Sequence, residues 1–172
     1  MLSERLKNTI KDYPDFPKKG IIFKDICPII ADEKLFSELI EKISNYSIFK
    51  KTDAIIAIDA RGFLTGSAIA LSTNKPLILA RKKNKLPGSL IESRYGLEYG
   101  EDTLCIQESS IKPYKKFAVV DDLLATGGTA KCIVDMLKNK NKEILGLSVI
   151  IELTELKGKE LVGVPVFSEV KY

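Results

Sequence analysis

The chain has 172 residues, and 27 Lys and Arg against 23 Asp and Glu give it a formal net charge of +4. It contains no histidine, which excludes Ser-His-Asp and Cys-His catalysis, imidazole metal ligands and a histidine proton shuttle. Its length and a hydrophobic content of 45% predict one domain over residues 1–172, which buries roughly 70% of the surface of the unfolded chain.

The first part of the chain has the helical and turn patterns of a small α/β protein. It predicts a helix, a turn-rich loop, a short strand and a second helix that Asp32 caps. These elements lie at residues 1–11, 13–20, 21–23 and 32–43.

Nearly continuous apolar runs alternate with helical patterns in the rest of the chain. Runs of this kind are typical of strands that are covered on both faces. The predicted strands lie at 53–58, 76–80, 117–121, 144–153 and 164–167, and the helices at 62–73 and 128–138. Strands that alternate with helices predict a parallel sheet, whose ligands bind beyond the carboxyl ends of the strands. Residues 59–62, 81–85 and 121–129 are therefore expected around one crevice.

The segment from Lys82 to about Asp102 has little periodicity and contains Gly88, Gly96 and Gly100. A loop of about twenty residues is unusual inside a compact domain and is typical of a lid or a binding loop. We therefore expect this segment to be mobile in the empty protein and to close over a ligand.

The strongest chemical signal is the run Val119-Val-Asp-Asp-Leu-Leu-Ala-Thr-Gly-Gly-Thr129. A buried strand ends in two acids, and a glycine turn then opens a helix. Free backbone N–H groups at such a turn, with the helix dipole, form a site for phosphate. Carboxylates beside a phosphate site suit a ligand that also carries hydroxyls or a metal, such as a phosphorylated ribose. The pattern of a P-loop is absent, and so is the Gly-x-Gly-x-x-Gly of dinucleotide folds.

The cysteines and the termini add expectations about the compartment. Cys27, Cys105 and Cys132 are far apart and form no Cys-x-x-Cys pair, so we expect structural thiols in a reducing compartment. The first residues lack a signal-peptide pattern, and no apolar run is long enough to span a bilayer. The scattered charges do not favour a nucleic-acid partner. We expect a cytoplasmic protein that binds neither membranes nor nucleic acids.

These motifs resemble those of the type I phosphoribosyltransferases, and the resemblance to their adenine-specific branch extends over the whole chain. The Asp121–Thr129 run resembles the motif that binds phosphoribosyl pyrophosphate (PRPP). The stretches that favour the adenine-specific branch are Lys19-Gly-Ile-Ile-Phe-Lys-Asp-Ile26 and Leu97-Glu-Tyr-Gly100, with Ala60-Arg-Gly-Phe63, Arg81-Lys-Lys-Asn-Lys-Leu-Pro87 and Glu152-Leu-Thr154 in support. The implied fold is α/β, a central parallel sheet flanked by helices with a small hood and a flexible catalytic loop.

The resemblance also implies a reaction in which adenine and PRPP give AMP and pyrophosphate, with Mg²⁺ as cofactor and a homodimer as the assembly. The implied catalytic residues are Glu98, which exchanges a proton with the base, and Asp121 and Asp122 beside the ribose. The implied binding residues are Ala125, Thr126, Gly127, Gly128 and Thr129 for the 5′-phosphate, Arg61, Arg81 and Lys85 for pyrophosphate, and Ile22, Phe23, Lys24 and Leu153 for adenine. Arg81 or Lys85 is expected to cross a dimer interface. Protein ligands of Mg²⁺ are left open, with substrate oxygens and water as the expected ligands.

The chain departs from the family pattern at two positions. Asp59 stands where many relatives have glutamate, and Lys24 stands where arginine is common. Two alternatives stay open: a phosphoribosyltransferase for another base such as hypoxanthine or xanthine, and a PRPP-sensing regulator on the same fold that binds nucleic acid.

Overall fold

Ten strands give the protein a central sheet and a small separate hairpin. The computed structural model describes residues 1–97 and 100–172, and the strands are counted in these two ranges. They are β1 (Lys11–Pro14), β2 (Ile22–Asp25), β3 (Ala54–Ile58), β4 (Leu77–Lys82), β5 (Leu90–Leu97), β6 (Gly100–Gln107), β7 (Lys116–Val120), β8 (Leu123–Leu124), β9 (Glu143–Glu152) and β10 (Val166–Lys171).

The central sheet is mostly parallel. Its strand order is β10-β9-β7-β3-β4-β6-β5, and β8 adds a short parallel pairing with β9. The pairs β10–β9, β9–β7, β7–β3 and β3–β4 are parallel, whereas β4–β6 and β6–β5 are antiparallel. Strands β1 and β2 form a separate antiparallel hairpin, which we call the hood. The carboxyl ends of β3 and β7 therefore lie side by side.

Eight α-helices and one short 3₁₀ helix occur in residues 1–97 and 100–172. They are α1 (Leu2–Thr9), α2 (Cys27–Ala31), α3 (Glu33–Ser44), α4 (Ser47–Lys51), α5 (Gly62–Thr73), α6 (Glu108–Ile111), α7 (Gly128–Lys138) and α8 (Gly158–Val162), with the 3₁₀ helix at Thr154–Leu156. No helix in this part of the chain combines the length and the apolar character needed to cross a membrane.

Two apolar cores cover the two faces of the sheet. One contains the inward side chains of α7, including Ile133 and Leu137, against Ile56 of β3. The other packs α1, α3 and α5 against the opposite face, where Ile55 of β3 contributes. All five residues of β3 are buried, which explains why this strand has a continuous apolar sequence rather than an alternating one.

The predicted helices and parallel strands are confirmed with small shifts at their ends. Helices α5 and α7 have the predicted bounds, and Asp32 caps α3 by accepting hydrogen bonds from the N–H groups of Lys34 (3.1 Å) and Leu35 (3.0 Å). The hood strand β1 was not predicted, because it lies in a stretch rich in proline and charge.

The prediction of a loop from Lys82 to Asp102 was wrong for most of that segment. Residues 90–97 and 100–107 form the antiparallel hairpin β5–β6 at the end of the sheet. Ile91 is buried there, whereas Glu92 and Arg94 on either side of Ser93 are exposed, which is the alternation of a strand with one covered face. Gly88, Gly96 and Gly100 are typical of loops, and for this reason the sequence predicts a loop here.

Candidate active site

A cavity of about 530 Å³ opens at the carboxyl ends of β3 and β7. Segments that are far apart in sequence form its walls. They are residues 58–61 after β3, residues 121–130 between β7 and α7, and the side chains of Lys82, Tyr95 and Leu147. Two of the three predicted crevice segments therefore meet here, and the third contributes only Lys82.

The turn before α7 forms the floor of this cavity. Gly127 has φ of +87°, a backbone conformation that glycine adopts without strain and other residues rarely adopt. A Cβ atom at this position would lie 2.6 Å from the carbonyl oxygen of Gly158, the first residue of α8. Helix geometry leaves the N–H groups of the first turn of α7 without partners inside the helix. The turn therefore presents backbone donors and the positive end of the helix dipole to the cavity.

Asp121 and Asp122 lie beside this turn in different electrostatic environments. The Nε atom of Arg61 lies 2.6 Å from Oδ2 of Asp122, so this buried carboxylate has a cationic partner. Asp121 accepts a hydrogen bond from the N–H of Asp122 (2.9 Å). Burial raises the pKa of the Asp121 carboxyl well above its usual range, and the charge of Asp122 raises it further. The cavity thus holds one compensated carboxylate and one that a bound cation or cationic ligand would stabilise.

A second cavity, of about 470 Å³, joins the first one. It lies between the hood and the segment after β9, and apolar side chains form most of its wall. The wall includes Pro17, Ile21, Ile22, Phe23, Leu123, Leu153 and Leu156. The residues assigned to adenine all line it: Leu153, and Ile22, Phe23 and Lys24, which that assignment uses largely through their backbone. We call it the base pocket, and a flat apolar ring with polar edges suits such a space.

Arg61 lies where the two cavities meet and belongs to both walls. Its guanidinium carbon lies 4.7 Å from the centroid of the Phe23 ring, and Nε pairs with Asp122. The residues shared by both cavities also include Ala125, Thr126, Gly128 and Thr129. One bound molecule that spans the junction would therefore contact the turn, the acids and the base pocket together.

Arg81 and Lys85 are not brought to either cavity by the described part of this single chain. The Nε atom of Arg81 pairs with Oδ2 of Asp59 at 3.0 Å, and its guanidinium lies over the ring of Phe63 at 5.6 Å. Asp59 itself lines the first cavity. Asp59 stands where many relatives have glutamate. It pairs with Arg81, the first residue of the basic run 81–85.

Glu98, the predicted proton acceptor or donor, lies outside the described residues. Its assignment stays a prediction from the sequence resemblance.

Tyr95 is a residue of the cavity wall that the sequence did not predict, and Lys82 was expected there only as part of the segment 81–85. Lys82 pairs with Asp102 at 2.9 Å, and the Tyr95 hydroxyl lies 3.4 Å from the same carboxylate. Burial raises the pKa of the Tyr95 phenol, so the hydroxyl stays protonated and is able to donate a hydrogen bond. The polar and apolar alternation from Ile91 to Tyr95 is the signal that predicts a strand pointing Tyr95 towards the sheet interior.

Comparison with known proteins agrees with this geometry. Residues 28–164 match the model of the phosphoribosyl transferase domain. The adenine phosphoribosyltransferase of Prochlorococcus marinus strain MIT 9215 is 58% identical over 172 residues, which is 100% of both chains.

Solved structures show the same relationship. The adenine phosphoribosyltransferase of Thermoanaerobacter pseudethanolicus superposes with a TM-score of 0.93 at 37% identity, covering 99% of each chain. The enzyme from Saccharomyces cerevisiae, solved with adenine and an imino-altritol bisphosphate, superposes with a TM-score of 0.91 at 34% identity over 98% of each chain. The domain match, the identity over the full chain and the shared fold place this chain in the adenine phosphoribosyltransferase family.

Proposed function

We propose that the two joined cavities bind PRPP and adenine and transfer the 5-phosphoribosyl group to the base, giving AMP and pyrophosphate. The observation that carries this proposal is the junction at Arg61. On one side lies a turn of backbone donors beside two carboxylates, and on the other lies an apolar pocket of suitable size for a purine. The family membership of the chain supports the same reaction.

The 5′-phosphate is assigned to the turn formed by residues 125–129. Backbone N–H groups at the start of α7 and the hydroxyls of Thr126 and Thr129 are suitable donors for phosphate oxygens. The ribose then lies beside Asp121 and Asp122. Its hydroxyls are donors for these carboxylates, whose negative charge also stabilises the positive charge that develops on the ribose when the bond to pyrophosphate breaks.

The pyrophosphate leaving group needs positive charge, because its negative charge grows as the bond breaks. Arg61 and Lys82 both line the cavity and place two cations at its wall. Catalysis of this kind depends on positioning and electrostatics rather than on a nucleophilic side chain. It therefore suits a chain without histidine.

Mg²⁺ is the cofactor that the donor set fits. Within residues 1–97 and 100–172, no group of three or more Asp, Glu, Cys or His forms a protein-only metal cage. Mg²⁺ commonly binds one or two carboxylates together with substrate oxygens and water. Asp121, whose pKa is raised by burial and by Asp122, is the carboxylate that a cation would most stabilise. When bound, Mg²⁺ would neutralise charge on the pyrophosphate oxygens.

Adenine is assigned to the base pocket, between the ring of Phe23 and the side chain of Leu153. Backbone groups of Ile22 to Lys24 supply the donors and acceptors that adenine and hypoxanthine would meet differently. Glu98 is assigned to the proton exchange at the purine ring.

A homodimer completes the proposal, because Arg81 and Lys85 lie away from the cavities of their own chain. Helix α5 has an outward apolar stripe in which Leu64 is 47% and Leu71 is 86% exposed. Ala68 lies between them at helical spacing. Arg81 packs against Phe63 of α5, so a second copy seated on α5 would lie next to the basic run 81–85.

The three free cysteines suit the cytoplasm, where thiols stay reduced.

Product analysis tests the proposed function. The protein is incubated with PRPP, Mg²⁺ and one free base at a time (adenine, hypoxanthine, guanine, xanthine or orotate), and the nucleotide and pyrophosphate formed are quantified. We expect AMP and pyrophosphate in equal amounts with adenine. Formation of another nucleotide in preference to AMP would assign a different base, and no nucleotide with any base would refute the enzyme assignment.

A further inference from the structure

Tyr172 contacts both sides of the base pocket without lining the pocket itself. One wall of the pocket is the hood strand β2, and the other is the segment after β9 that carries Leu153. These two walls are more than a hundred residues apart in sequence. Within the described residues, Tyr172 is bonded to the second wall through its backbone and packed against the first through its ring.

The backbone of Tyr172 holds the Leu153 wall. Its N–H donates to the carbonyl of Glu152 at 3.0 Å, and its carbonyl accepts from the N–H of Thr154 at 2.8 Å. The Thr154 hydroxyl donates to the same carbonyl at 2.6 Å. Three hydrogen bonds thus fix the residues on either side of Leu153 relative to Tyr172.

The ring of Tyr172 holds the hood. Nζ of Lys24 lies 3.7 Å from the ring centroid, close enough for a cation–π contact. The same ammonium pairs with Asp12 of β1 at 2.6 Å, and only 10% of the Lys24 side chain is exposed. Since Lys24 follows Phe23 in β2, the ring of Tyr172 is connected through one residue to the aromatic face of the pocket.

We propose that Tyr172 is a positioning residue for base binding, because it sets the separation between the Phe23 wall and the Leu153 wall. This inference rests on the proposed function, which assigns the purine to the space between these walls. A flat ring is bound well only when both faces are in van der Waals contact, and a gap of less than 1 Å loses a large part of that attraction. Loss of the Tyr172 ring would therefore weaken binding of the base. It would leave unchanged the turn at residues 125–129, to which the 5′-phosphate is assigned.

Initial-rate kinetics with adenine and PRPP varied separately test this role. Tyr172→Leu is expected to raise KM for adenine about three- to tenfold, as for the loss of one cation–π contact. kcat and KM for PRPP are expected to stay within about twofold of wild type, since the change lies outside the phosphate site. Tyr172→Phe keeps the aromatic ring, and its KM for adenine is therefore expected to equal that of wild type.

Two further variants define the contact. Lys7→Met is the matched control, because Nζ of Lys7 lies 5.0 Å from the same ring centroid on α1, and Lys7 lines neither cavity. It is expected to keep wild-type kinetics. Lys24→Met removes the hood side of the contact and should raise KM for adenine as Tyr172→Leu does. Adding Tyr172→Leu to Lys24→Met should then cause no further increase in this KM, because the contact between the two side chains is already lost.

Several results would overturn the inference. An unchanged KM for adenine in folded Tyr172→Leu would do so, as would a parallel loss of kcat and PRPP affinity, which would indicate general loosening. If Tyr172→Leu does not fold, an unchanged KM for adenine in Lys24→Met overturns it. Leu153→Ala separates the two proposals: a higher KM for adenine in that variant alone refutes the role of Tyr172 but supports the pocket. If no variant changes this KM while wild type forms AMP, the pocket assignment is wrong as well.

Discussion

Asp121 and Asp122, the two adjacent acids of the site, lie in different electrostatic environments. Asp122 is paired with Arg61, whereas desolvation and the charge of Asp122 raise the pKa of Asp121. A buried carboxylate that is kept charged without a partner costs stability. Its place beside the assigned ribose suggests that this cost is retained for function, as is common at active sites.

Asp121→Asn is expected to make the empty protein more stable at neutral pH by about 0.5–2 kcal/mol. The amide oxygen still accepts the hydrogen bond from Asp122, and the charge that desolvation and Asp122 disfavour is gone. The folded state has the higher pKa at Asp121, so it binds more protons than the unfolded state, and stability falls as pH rises through the interval between the ordinary pKa and the raised one. Thermal unfolding from pH 4 to pH 8 measures this difference.

The gain from Asp121→Asn should be largest above the raised pKa and vanish towards the ordinary pKa of about 4. The rate of AMP formation should fall in the same variant. A variant that is less stable than wild type at pH 8 would contradict this account of Asp121.

The catalytic role of Glu98 is predicted from the sequence resemblance. General acid–base catalysis typically contributes about 10²–10⁴-fold to rate. Glu98→Gln keeps the shape and removes the basic carboxylate, whereas Glu98→Leu also removes the polar contact. We expect a large loss of kcat in both, greater for leucine, with PRPP affinity little changed. Single-turnover measurement of AMP formation is the test, and a wild-type rate in Glu98→Leu would exclude a catalytic role.

At the scale of secondary-structure elements, the parallel strands and long helices were predictable, and the hairpins were not. Strand β3 and helix α7 have patterns that local burial imposes, so their positions follow from periodicity. Strands β5 and β6 are antiparallel and partly exposed at the end of the sheet, and their glycines resemble those of a loop. Strand β1 is stabilised by pairing with β2, a contact that short-range sequence patterns do not contain.

The turn at residues 125–129, to which the 5′-phosphate is assigned, packs closely against the start of α8, and this gives a prediction with a matched control. Gly127 and Gly88 have nearly equal φ angles of +87° and +84°. Alanine at either position should lower the free energy of unfolding by about 1 kcal/mol, because its Cβ atom disfavours the left-handed backbone conformation. Only at Gly127 would the new Cβ also meet the carbonyl of Gly158, at 2.6 Å, whereas nothing lies within 4 Å at Gly88.

Gly127→Ala should therefore abolish or strongly weaken PRPP binding, and Gly88→Ala should leave it close to wild type with a similar backbone cost. Calorimetric titration with PRPP and Mg²⁺, together with thermal unfolding, separates the two effects. Wild-type PRPP affinity in folded Gly127→Ala would refute the assignment of the phosphate to this turn.

At the scale of the whole molecule, the site is a product of long-range assembly. Sequence motifs indicated the phosphate turn and the hood residues, because each is a local pattern. They did not indicate that Arg61 lies against Phe23 while Arg81 pairs with Asp59, or that Tyr172 joins the two walls of the base pocket. These contacts depend on how strands distant in sequence are ordered in the sheet, and a single sequence carries no direct signal of that order.

The proposed dimer gives a prediction at this scale. Leu71→Glu places a charge in the exposed stripe of α5 and should convert a dimer into a monomer. Activity per subunit should then fall by about a hundredfold, because a monomer loses the cation, Arg81 or Lys85, that is expected to cross the dimer interface and to stabilise developing charge. Leu161→Glu, which changes a leucine that is 48% exposed on α8, is the control. Sedimentation measures the assembly state, and full activity in a monomeric variant would contradict a shared site.

A competition between two bases tests whether the pocket is specific for adenine. Equimolar adenine and hypoxanthine are supplied with limiting PRPP and Mg²⁺, and the ratio of AMP to IMP then reports the ratio of kcat/KM values. Hypoxanthine has a protonated N1 and a carbonyl in place of the amino group, so hood backbone groups that a bound base covers would stay unpaired, which is costly. We predict at least about a hundredfold preference for AMP. Comparable amounts of AMP and IMP would contradict an adenine-specific pocket.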